Sequence, residues 1–380
     1  MKARIILLAA LLFVSFNVTF AQNDLDSRLR EAVNCIDNGL TTQGIRLLEE
    51  VVKDYPKDFV ANYELAYAYN IAEDNKSAYA QLKKMKKFKN LTDQYYQLKG
   101  ALEDEMGNPD EAMKTFQKGL KQFPESGLLH VETGIMYQKS KQYDQALEMY
   151  EKGMTVAPTF ASNYFRAANL LIGSSLPIWG LTYGEIYMLL DPTSPRADYI
   201  SEQLVNFMLN SITLTDTSAD IALGKQFNIF FDSKSGKMIM PYEVIYSLYA
   251  DLNNKSTAFI HKDSIDIDLL IAMHRNLMHT FTGTKLDTTD NSSTNYSQAV
   301  GDPVFPYLQR LEKEGLFNIY CHLLYRALVP NEWFDNHQSE VEKCLSWMHY
   351  HPFTMTHENA FNRTTAKGYD MLSHKDKDGE

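Results

Sequence analysis

The chain has 380 residues, of which 44% are hydrophobic and 22% charged, and its formal net charge is -11. This length and apolar content exclude a disordered polymer and suffice for one large or two ordinary folded domains. The acidic balance disfavours nucleic acid and anionic membranes as general partners, because both are negatively charged. Three cysteines are too few for a disulfide scaffold, so a hydrophobic core must hold the fold together.

The first 21 residues have the features of a secretory signal peptide. Lys2 and Arg4 precede an unbroken apolar run from Ile5 to Val14, and Thr19-Phe20-Ala21 offers a cleavage site. The run is shorter than the roughly 20 residues that span a membrane, and no cysteine follows Ala21 to carry a lipid. We therefore expect residues 1–21 to be removed, leaving a soluble periplasmic or secreted chain without stable membrane insertion. Its charge, -11 less the two lost cations, is -13.

A stride of 34 residues runs through the first half of the chain. It defines five units, which cover residues 25–58, 59–92, 93–126, 127–160 and 161–194. The eighth and twentieth residues of every unit are alanine or glycine. The eighth residues are Ala32, Ala66, Gly100, Gly134 and Ala168, and the twentieth are Gly44, Ala78, Ala112, Ala146 and Gly180. Small residues at a fixed stride predict pairs of antiparallel helices that cross closely at these positions.

Two further positions complete the pattern. Position 24 carries a large apolar residue, predicted to fill the space against the next unit: Leu48, Leu82, Phe116 and Tyr150. Position 32 carries proline, which ends a helix: Pro56, Pro124, Pro158 and Pro192. The pattern is broken at three residues, Asn90, Glu103 and Gly184. No further unit is predicted beyond Pro195. The segment Ile172–Glu185 fits the pattern least, and we expect it to pack on the C-terminal half.

This spacing and residue set resemble the tetratricopeptide repeat (TPR) family. The resemblance implies an all-α fold in which a solenoid of helix pairs covers residues 22–194, with the first helices of the units lining a concave binding face. Positions 2, 5, 9, 12 and 13 of each unit form that face in the family. Among the residues at these positions in the middle of the array, eight can hydrogen-bond or stack on a ligand: Tyr63, Tyr67, Asn70, Gln94, Gln97, Asp104, Gln138 and Lys139. The family's Lys and Asn clamp for a terminal carboxylate is absent.

The second half resembles no characterised family. Apolar residues at helical spacing predict a mainly helical C-terminal domain over residues 195–361. Within it, residues 282–301 are rich in Thr, Asn, Asp and Ser and predict a polar loop, while residues 362–380 predict a disordered tail. A bridge between Cys321 and Cys344 is one alternative, although two buried free thiols are favoured.

Histidines in the second half are the best candidates for enzyme chemistry. Pro352 favours an extended backbone before it, so His349 and His351 would point the same way and His357 would close a three-ligand metal site. His274 and His279 are five residues apart and make a poor chelate on a helix. The sequence contains no glycine-rich phosphate loop and no nucleophile elbow. We therefore predict a protein that is not an enzyme and has no cofactor.

Recognition is the function that this pattern favours. The main hypothesis is an exported TPR adaptor or scaffold that binds a protein or peptide partner, and not nucleic acid, through its concave groove. A second hypothesis is a metal-dependent hydrolase in the C-terminal domain, with the repeats recruiting its substrate. A third is a glycan-binding envelope protein.

Overall fold

The computed structural model describes residues 24–214, 219–221, 230–232, 237–252, 265–284 and 294–370. The predicted signal peptide lies outside these residues. The chain divides into two compact units, Met1–Pro124 (unit 1) and Glu125–Glu380 (unit 2). This division falls inside the repeat array, whereas the sequence placed a domain boundary after residue 194. The fourth and fifth repeats therefore share a unit with the C-terminal region.

Unit 1 contains three helix pairs, one for each of the first three repeats. The first helices are α1 (24–37), α3 (Phe59–Ile71) and α5 (Asp93–Glu105), and the second helices are α2 (Thr41–Asp54), α4 (Asn75–Met85) and α6 (Pro109–Gln122). Asp58 caps α3 by accepting a 2.8 Å hydrogen bond from the Ala61 amide, and Asp74 caps α4 through the Ser77 amide at 3.0 Å. With 11 residues, α4 is the shortest of these six helices, and its repeat has Asn90 in place of the proline at position 32.

The repeat positions have the roles that the sequence predicts, with one difference. The alanines and glycines at positions 8 and 20 are all buried. A methyl group on Gly100 would lie 2.3 Å from the Phe116 ring, and one on Gly134 would lie 2.3 Å from the Tyr150 ring. The aromatic residues at position 24 thus pack on the first helix of their own repeat, and not only against the next unit as predicted.

Unit 2 begins with the fourth and fifth helix pairs. These are α7 (Gly127–Lys139) with α8 (Tyr143–Val156), and α9 (Ala161–Leu171) with α10 (Pro177–Leu190). The next helix, α11 (Pro195–Ser211), starts 34 residues after α9 and packs on both α9 and α10. The spacing of 34 residues therefore continues for one more first helix, although no complete further unit was predicted beyond Pro195. A single helix at this place covers the last pair, as the end of a repeat array requires.

The rest of unit 2 is mainly helical. Its helices are α12 (Tyr242–Leu252), α13 (Ile267–Thr282), α14 (Tyr296–Val300), α15 (Val304–Lys313), α16 (Phe317–Leu324), α17 (Asn331–Asn336) and α18 (Gln338–Tyr350). Short strands, which the sequence analysis did not predict, form two small antiparallel sheets. One pairs β1 (Ile212–Leu214) with β2 (Ala219–Ile221), and the other has the order β3 (Phe230–Asp232), β4 (Lys237–Met240), β5 (Tyr369–Asp370).

Two polar segments are more ordered than the sequence suggested. In the predicted loop 282–301, α14 buries Tyr296 and Val300, while residues 285–293 lie outside the description. In the predicted tail, Asn362 is fully buried and donates a 3.0 Å hydrogen bond to the Thr155 hydroxyl. Arg363 donates two hydrogen bonds, of 3.0 and 3.1 Å, to the buried carboxylate of Glu151. Residues 362–370 are therefore part of the folded unit, and residues 371–380 are not described.

One continuous core joins the last repeats to the C-terminal helices within unit 2. The segment Ile172–Glu185 packs on the C-terminal half as predicted: the Trp179 ring lies 4.9 Å from that of Tyr242 and 5.6 Å from that of Phe361. Cys321 and Cys344 are buried and are not bonded to each other. Among the described residues, no helix combines the length and apolar character needed to cross a membrane.

Candidate partner-binding surface

The eight predicted groove residues all lie on first helices, and none of them is buried. Three belong to α3, three to α5 and two to α7: Tyr63, Tyr67, Asn70; Gln94, Gln97, Asp104; Gln138, Lys139. Within unit 1, α3 and α5 touch each other, and within unit 2 the same holds for α7 with α9 and α9 with α11. In each unit the first helices therefore form a layer of their own, with accessible side chains on it.

The helix α3 carries an exposed apolar stripe that the sequence analysis missed. Val60, Tyr67 and Ile71 are 49%, 43% and 42% exposed, and Tyr63 lies between them on the same face. We call Val60, Tyr63, Tyr67 and Ile71 the α3 stripe. Val60 and Ile71 occupy positions 2 and 13 of their repeat, which the family pattern assigns to the binding face, whereas the prediction named only polar and phenolic residues there. An apolar face left in solvent is typical of an interaction site.

The aromatic members of the α3 stripe are stacked. The ring centroids of Tyr63 and Tyr67 are 6.5 Å apart with the planes 4° from parallel, and Tyr63 stacks on Phe59 at 5.9 Å. Burial, with smaller contributions from Glu64, Tyr67 and Asp93, raises the pKa of Tyr63 to about 12. The Tyr63 hydroxyl therefore stays protonated near neutral pH, and it can both donate and accept a hydrogen bond.

A buried polar cluster joins α5 to the second helices α4 and α6. The Glu103 carboxylate is 4% exposed and accepts hydrogen bonds from the Thr115 hydroxyl at 2.5 Å and the Tyr79 hydroxyl at 2.9 Å, and it pairs with the Lys99 ammonium. Glu103 stands where the repeat pattern normally has an aromatic residue. The departure thus replaces an apolar contact by a satisfied ionic network, which fixes α5 against α4 and α6.

In unit 2 the surface of the first helices is again aromatic. Phe165, at position 5 of the fifth repeat, lies 6.0 Å from the ring of Tyr199, the matching residue of α11, and the Arg196 guanidinium covers Phe165 at 5.2 Å. Gln138 accepts a 2.9 Å hydrogen bond from the Tyr150 hydroxyl, so it also has a structural role. Extending the 34-residue phase to Pro195 would have found Tyr199.

The structure does not form the predicted three-histidine site. His349 lies inside α18 and not in an extended segment, and His351 caps that helix with its ring stacked on Trp347. No group of three or more histidine, cysteine, aspartate or glutamate residues in the described ranges, His357 included, could hold a metal ion. His261 lies outside those ranges.

His274 and His279 contact different carboxylates. The Nε2 atom of His279 lies 2.9 Å from Oε2 of Glu312. The Nε2 atom of His274 lies 2.9 Å from Oε1 of Glu185, and both residues line a cavity of about 40 Å³. Glu185 and His274 are 6% and 5% exposed, and their facing atoms, although close, are poorly aligned for a hydrogen bond. The other nitrogen of His274 is 3.1 Å from the Tyr325 hydroxyl. A cavity of this size has room for ordered water that would satisfy these atoms.

The third repeat of the array matches a known family. A family described as tetratricopeptide repeat matches residues 93–126, and a search of curated proteins gives no match. TTC0263, a thermophilic TPR protein of Thermus thermophilus, is similar to 47% of this chain over 98% of its own length, with 17% identity and a TM-score of 0.41. PilW, a type IV pilus biogenesis factor, is similar to 48% of this chain over 86% of its own length, with 18% identity and a TM-score of 0.40. YrrB, a TPR protein with an unusual peptide-binding site, is similar to 46% of this chain over 90% of its own length, with 12% identity and a TM-score of 0.34. The chain therefore contains a tetratricopeptide repeat at residues 93–126, within its array of 34-residue helix pairs.

Proposed function

We propose that this protein is an exported adaptor that binds a segment of a partner protein on the layer of first helices in unit 1. The observation that carries the proposal is the α3 stripe, where three apolar side chains are more than 40% exposed on one helix face. Burying such a face against a partner releases water and stabilises the complex. The amides of Gln94 and Gln97 on the adjacent α5 supply hydrogen bonds for a peptide backbone.

The chemistry of the partner follows from this surface. Stacked tyrosines offer flat apolar faces together with hydroxyl groups, which suits a segment with aliphatic or aromatic anchors and free backbone groups. This is a binding surface and has no arrangement of nucleophile, base and oxyanion donors. The proposal therefore assigns recognition, and not bond breaking, to unit 1.

The test is a comparison of partners retained by three forms of the protein. The native chain, the Tyr63→Ala/Tyr67→Ala variant and a Tyr143→Ala control are immobilised and exposed to envelope extract. Tyr143 is 53% exposed but lies on the second helix α8. We expect a partner that the native protein and the control retain and the α3 variant loses. The partner is then purified, and calorimetry should show at least a tenfold weaker affinity for the variant. Equal affinity would refute the proposal.

Export is the second part of the proposal, and it is supported by the basic, apolar and small-residue segments of residues 1–21. Expression of the full chain followed by N-terminal sequencing of the envelope fraction tests it. We expect a mature protein that begins at Gln22. An uncleaved chain that stays with the cytosolic fraction would contradict export, but it would leave the binding surface untouched.

A further inference from the structure

We infer that unit 2 carries a second interaction surface, which accepts a basic amphipathic helix of a partner protein. The surface is an open groove of about 1230 Å³ between α11 and the helices α16, α17 and α18. We call it the α11 groove. It goes beyond the proposed function, since none of its residues belongs to the α3 stripe.

The floor of the α11 groove is apolar. Val205 and Leu323 are buried in it, and Phe334, Val341 and Leu345 line it half-buried. On the α11 side the groove is bordered by Tyr199 and Leu209, which are 46% and 38% exposed. Apolar side chains in such a concave arrangement match the apolar face of a helix laid along it.

The border of the α11 groove is acidic. Asp198, Glu202 and Asp335 line it, and all three are exposed. Arg326 is the basic residue among the lining side chains, and its guanidinium is already engaged. It donates to Asp198 at 2.9 Å, to the Leu323 carbonyl at 3.0 Å and to the Pro192 carbonyl. Glu202 and Asp335 therefore leave the border with a net negative charge of two, which an incoming basic side chain would neutralise.

The wall of the α11 groove is held in place before any partner binds. The Ala327 amide donates a 3.1 Å hydrogen bond to the Ser201 hydroxyl, and this bond ties the turn after α16 to α11. Together with the contacts of Arg326, it fixes the distance between the two sides. A preformed groove loses little conformational entropy on binding, so a short helix suffices as a ligand.

Charge and length select the occupant. A second copy of the chain, with a net charge of -11, would repel the acidic border, and so would a nucleic acid or an anionic membrane. From Asp198 to Leu209 the groove follows α11 for about 17 Å, at 1.5 Å per residue. This length corresponds to three turns of a partner helix, with apolar residues at the spacing i, i+3, i+4, i+7 and lysine or arginine beside them.

The test uses a designed probe and the full mature chain. The probe is a labelled 14-residue peptide of leucine and lysine with leucines at the helical spacing, and its binding is followed by fluorescence anisotropy. One control peptide has the same composition in an order without an amphipathic helix, and another has glutamate in place of lysine. We expect the leucine–lysine helix to bind at least tenfold more tightly than either control, and less tightly as salt rises. Equal binding of the reordered peptide, or no binding of the probe, would overturn the inference.

Variants locate the binding on the α11 groove. Leu209→Ser should weaken probe binding at least tenfold, and Glu202→Lys/Asp335→Lys should abolish it while allowing the leucine–glutamate peptide to bind. The matched control Asp144→Lys/Glu148→Lys makes the same charge change at exposed residues of α8, and it should keep probe binding within a factor of two. Circular dichroism checks that each variant is folded. If the control weakens binding as much as the groove variant does, general charge attraction explains the result and the assignment fails. The Tyr63→Ala/Tyr67→Ala variant should bind the probe normally, which separates this test from that of the proposed function.

Discussion

The small residue at position 8 and the large residue at position 24 of each repeat are coupled, and Gly134 with Tyr150 gives a quantitative test. Repeats with an aromatic residue at position 24 have glycine at position 8, and those with leucine or glycine there have alanine. A methyl group added in Gly134→Ala would lie 2.3, 2.7 and 2.9 Å from three ring atoms of Tyr150, well inside the normal contact distance of about 3.5 Å. The ring must therefore move.

The expected cost follows from these contacts. Overpacking of a core costs about 1–3 kcal/mol, and displacement of the ring also strains the 2.9 Å hydrogen bond from Tyr150 to Gln138, worth about 1 kcal/mol. Alanine recovers about 1 kcal/mol through its better helix propensity. Gly134→Ala should therefore lower the free energy of unfolding by about 1–3 kcal/mol, as measured by urea denaturation.

The double variant decides whether the reasoning is right. In a Tyr150→Leu background the space beside residue 134 opens, so Gly134→Ala should be neutral or stabilising, and the coupling energy should be at least about 1 kcal/mol. Gly173→Ala is the control, since a methyl group there meets no atom within 4 Å. If Gly134→Ala is as stable as the native protein, or costs the same in both backgrounds, the proposed steric coupling is refuted.

Three further predictions concern buried ionisable groups in unit 2. Burial raises the pKa of Asp302 from 3.8 to about 7, so the native state binds this proton more tightly than the unfolded chain. The stability due to Asp302 should therefore fall as the pH rises from about 4 through 7, and Asp302→Asn should flatten the difference between pH 5 and pH 8 in urea midpoints. His274→Leu removes the imidazole 2.9 Å from the buried carboxyl group of Glu185 and leaves that polar group facing an apolar side chain, so it should cost about 1–3 kcal/mol. His274→Leu/Glu185→Met should cost less, as thermal unfolding can show. Arg363→Ala removes both hydrogen bonds to the 1% exposed Glu151 and, because Arg363 is partly exposed, should cost about 2 kcal/mol in urea denaturation.

Each of these three predictions has an outcome that contradicts it. For Asp302→Asn it is a pH dependence equal to that of the native chain. For the Glu185 and His274 pair it is a double variant less stable than the single one. For Arg363→Ala it is a loss no larger than that of Lys343→Ala, an exposed residue of α18 that serves as its control.

The repeat architecture could be predicted because its signal is local and periodic. The helices α3, α5, α7 and α9 begin at residues 59, 93, 127 and 161, the first residues of the predicted units. Four second helices end two residues before the proline at position 32, where the residue before proline takes a non-helical backbone. The continuation of the repeat phase into α11 was not predicted, because Glu202 stands at the eighth position of this helix. The described segment that follows α11 is the strand β1 and not a second helix, so the close crossing that requires a small residue is not formed there.

The surfaces and the buried pairs could be predicted only in part. The sequence places Val60 and Ile71 on a helix that is apolar on all sides, but such a pattern fits a buried helix as well as a binding face. The contact of Arg363 with Glu151 joins residues 212 apart and leaves no local pattern. The three-histidine geometry does not form because Pro352 ends α18 at Tyr350. His349 is therefore still helical, and the extended backbone that the prediction requires does not arise there.

The contact between Arg363 and Glu151 also affects the order in which the chain can fold during its synthesis. In an ordinary repeat array each pair of helices touches only its neighbours, so folding can follow the growing chain. In unit 2 the second helix of the fourth repeat receives its charged partner only after 212 more residues have been made. At 5–20 residues per second this interval lasts about 10–40 s. Until Arg363 has been made, the carboxylate of Glu151 lacks its guanidinium partner. The fourth repeat can therefore complete its contacts only after the C-terminal segment has been made.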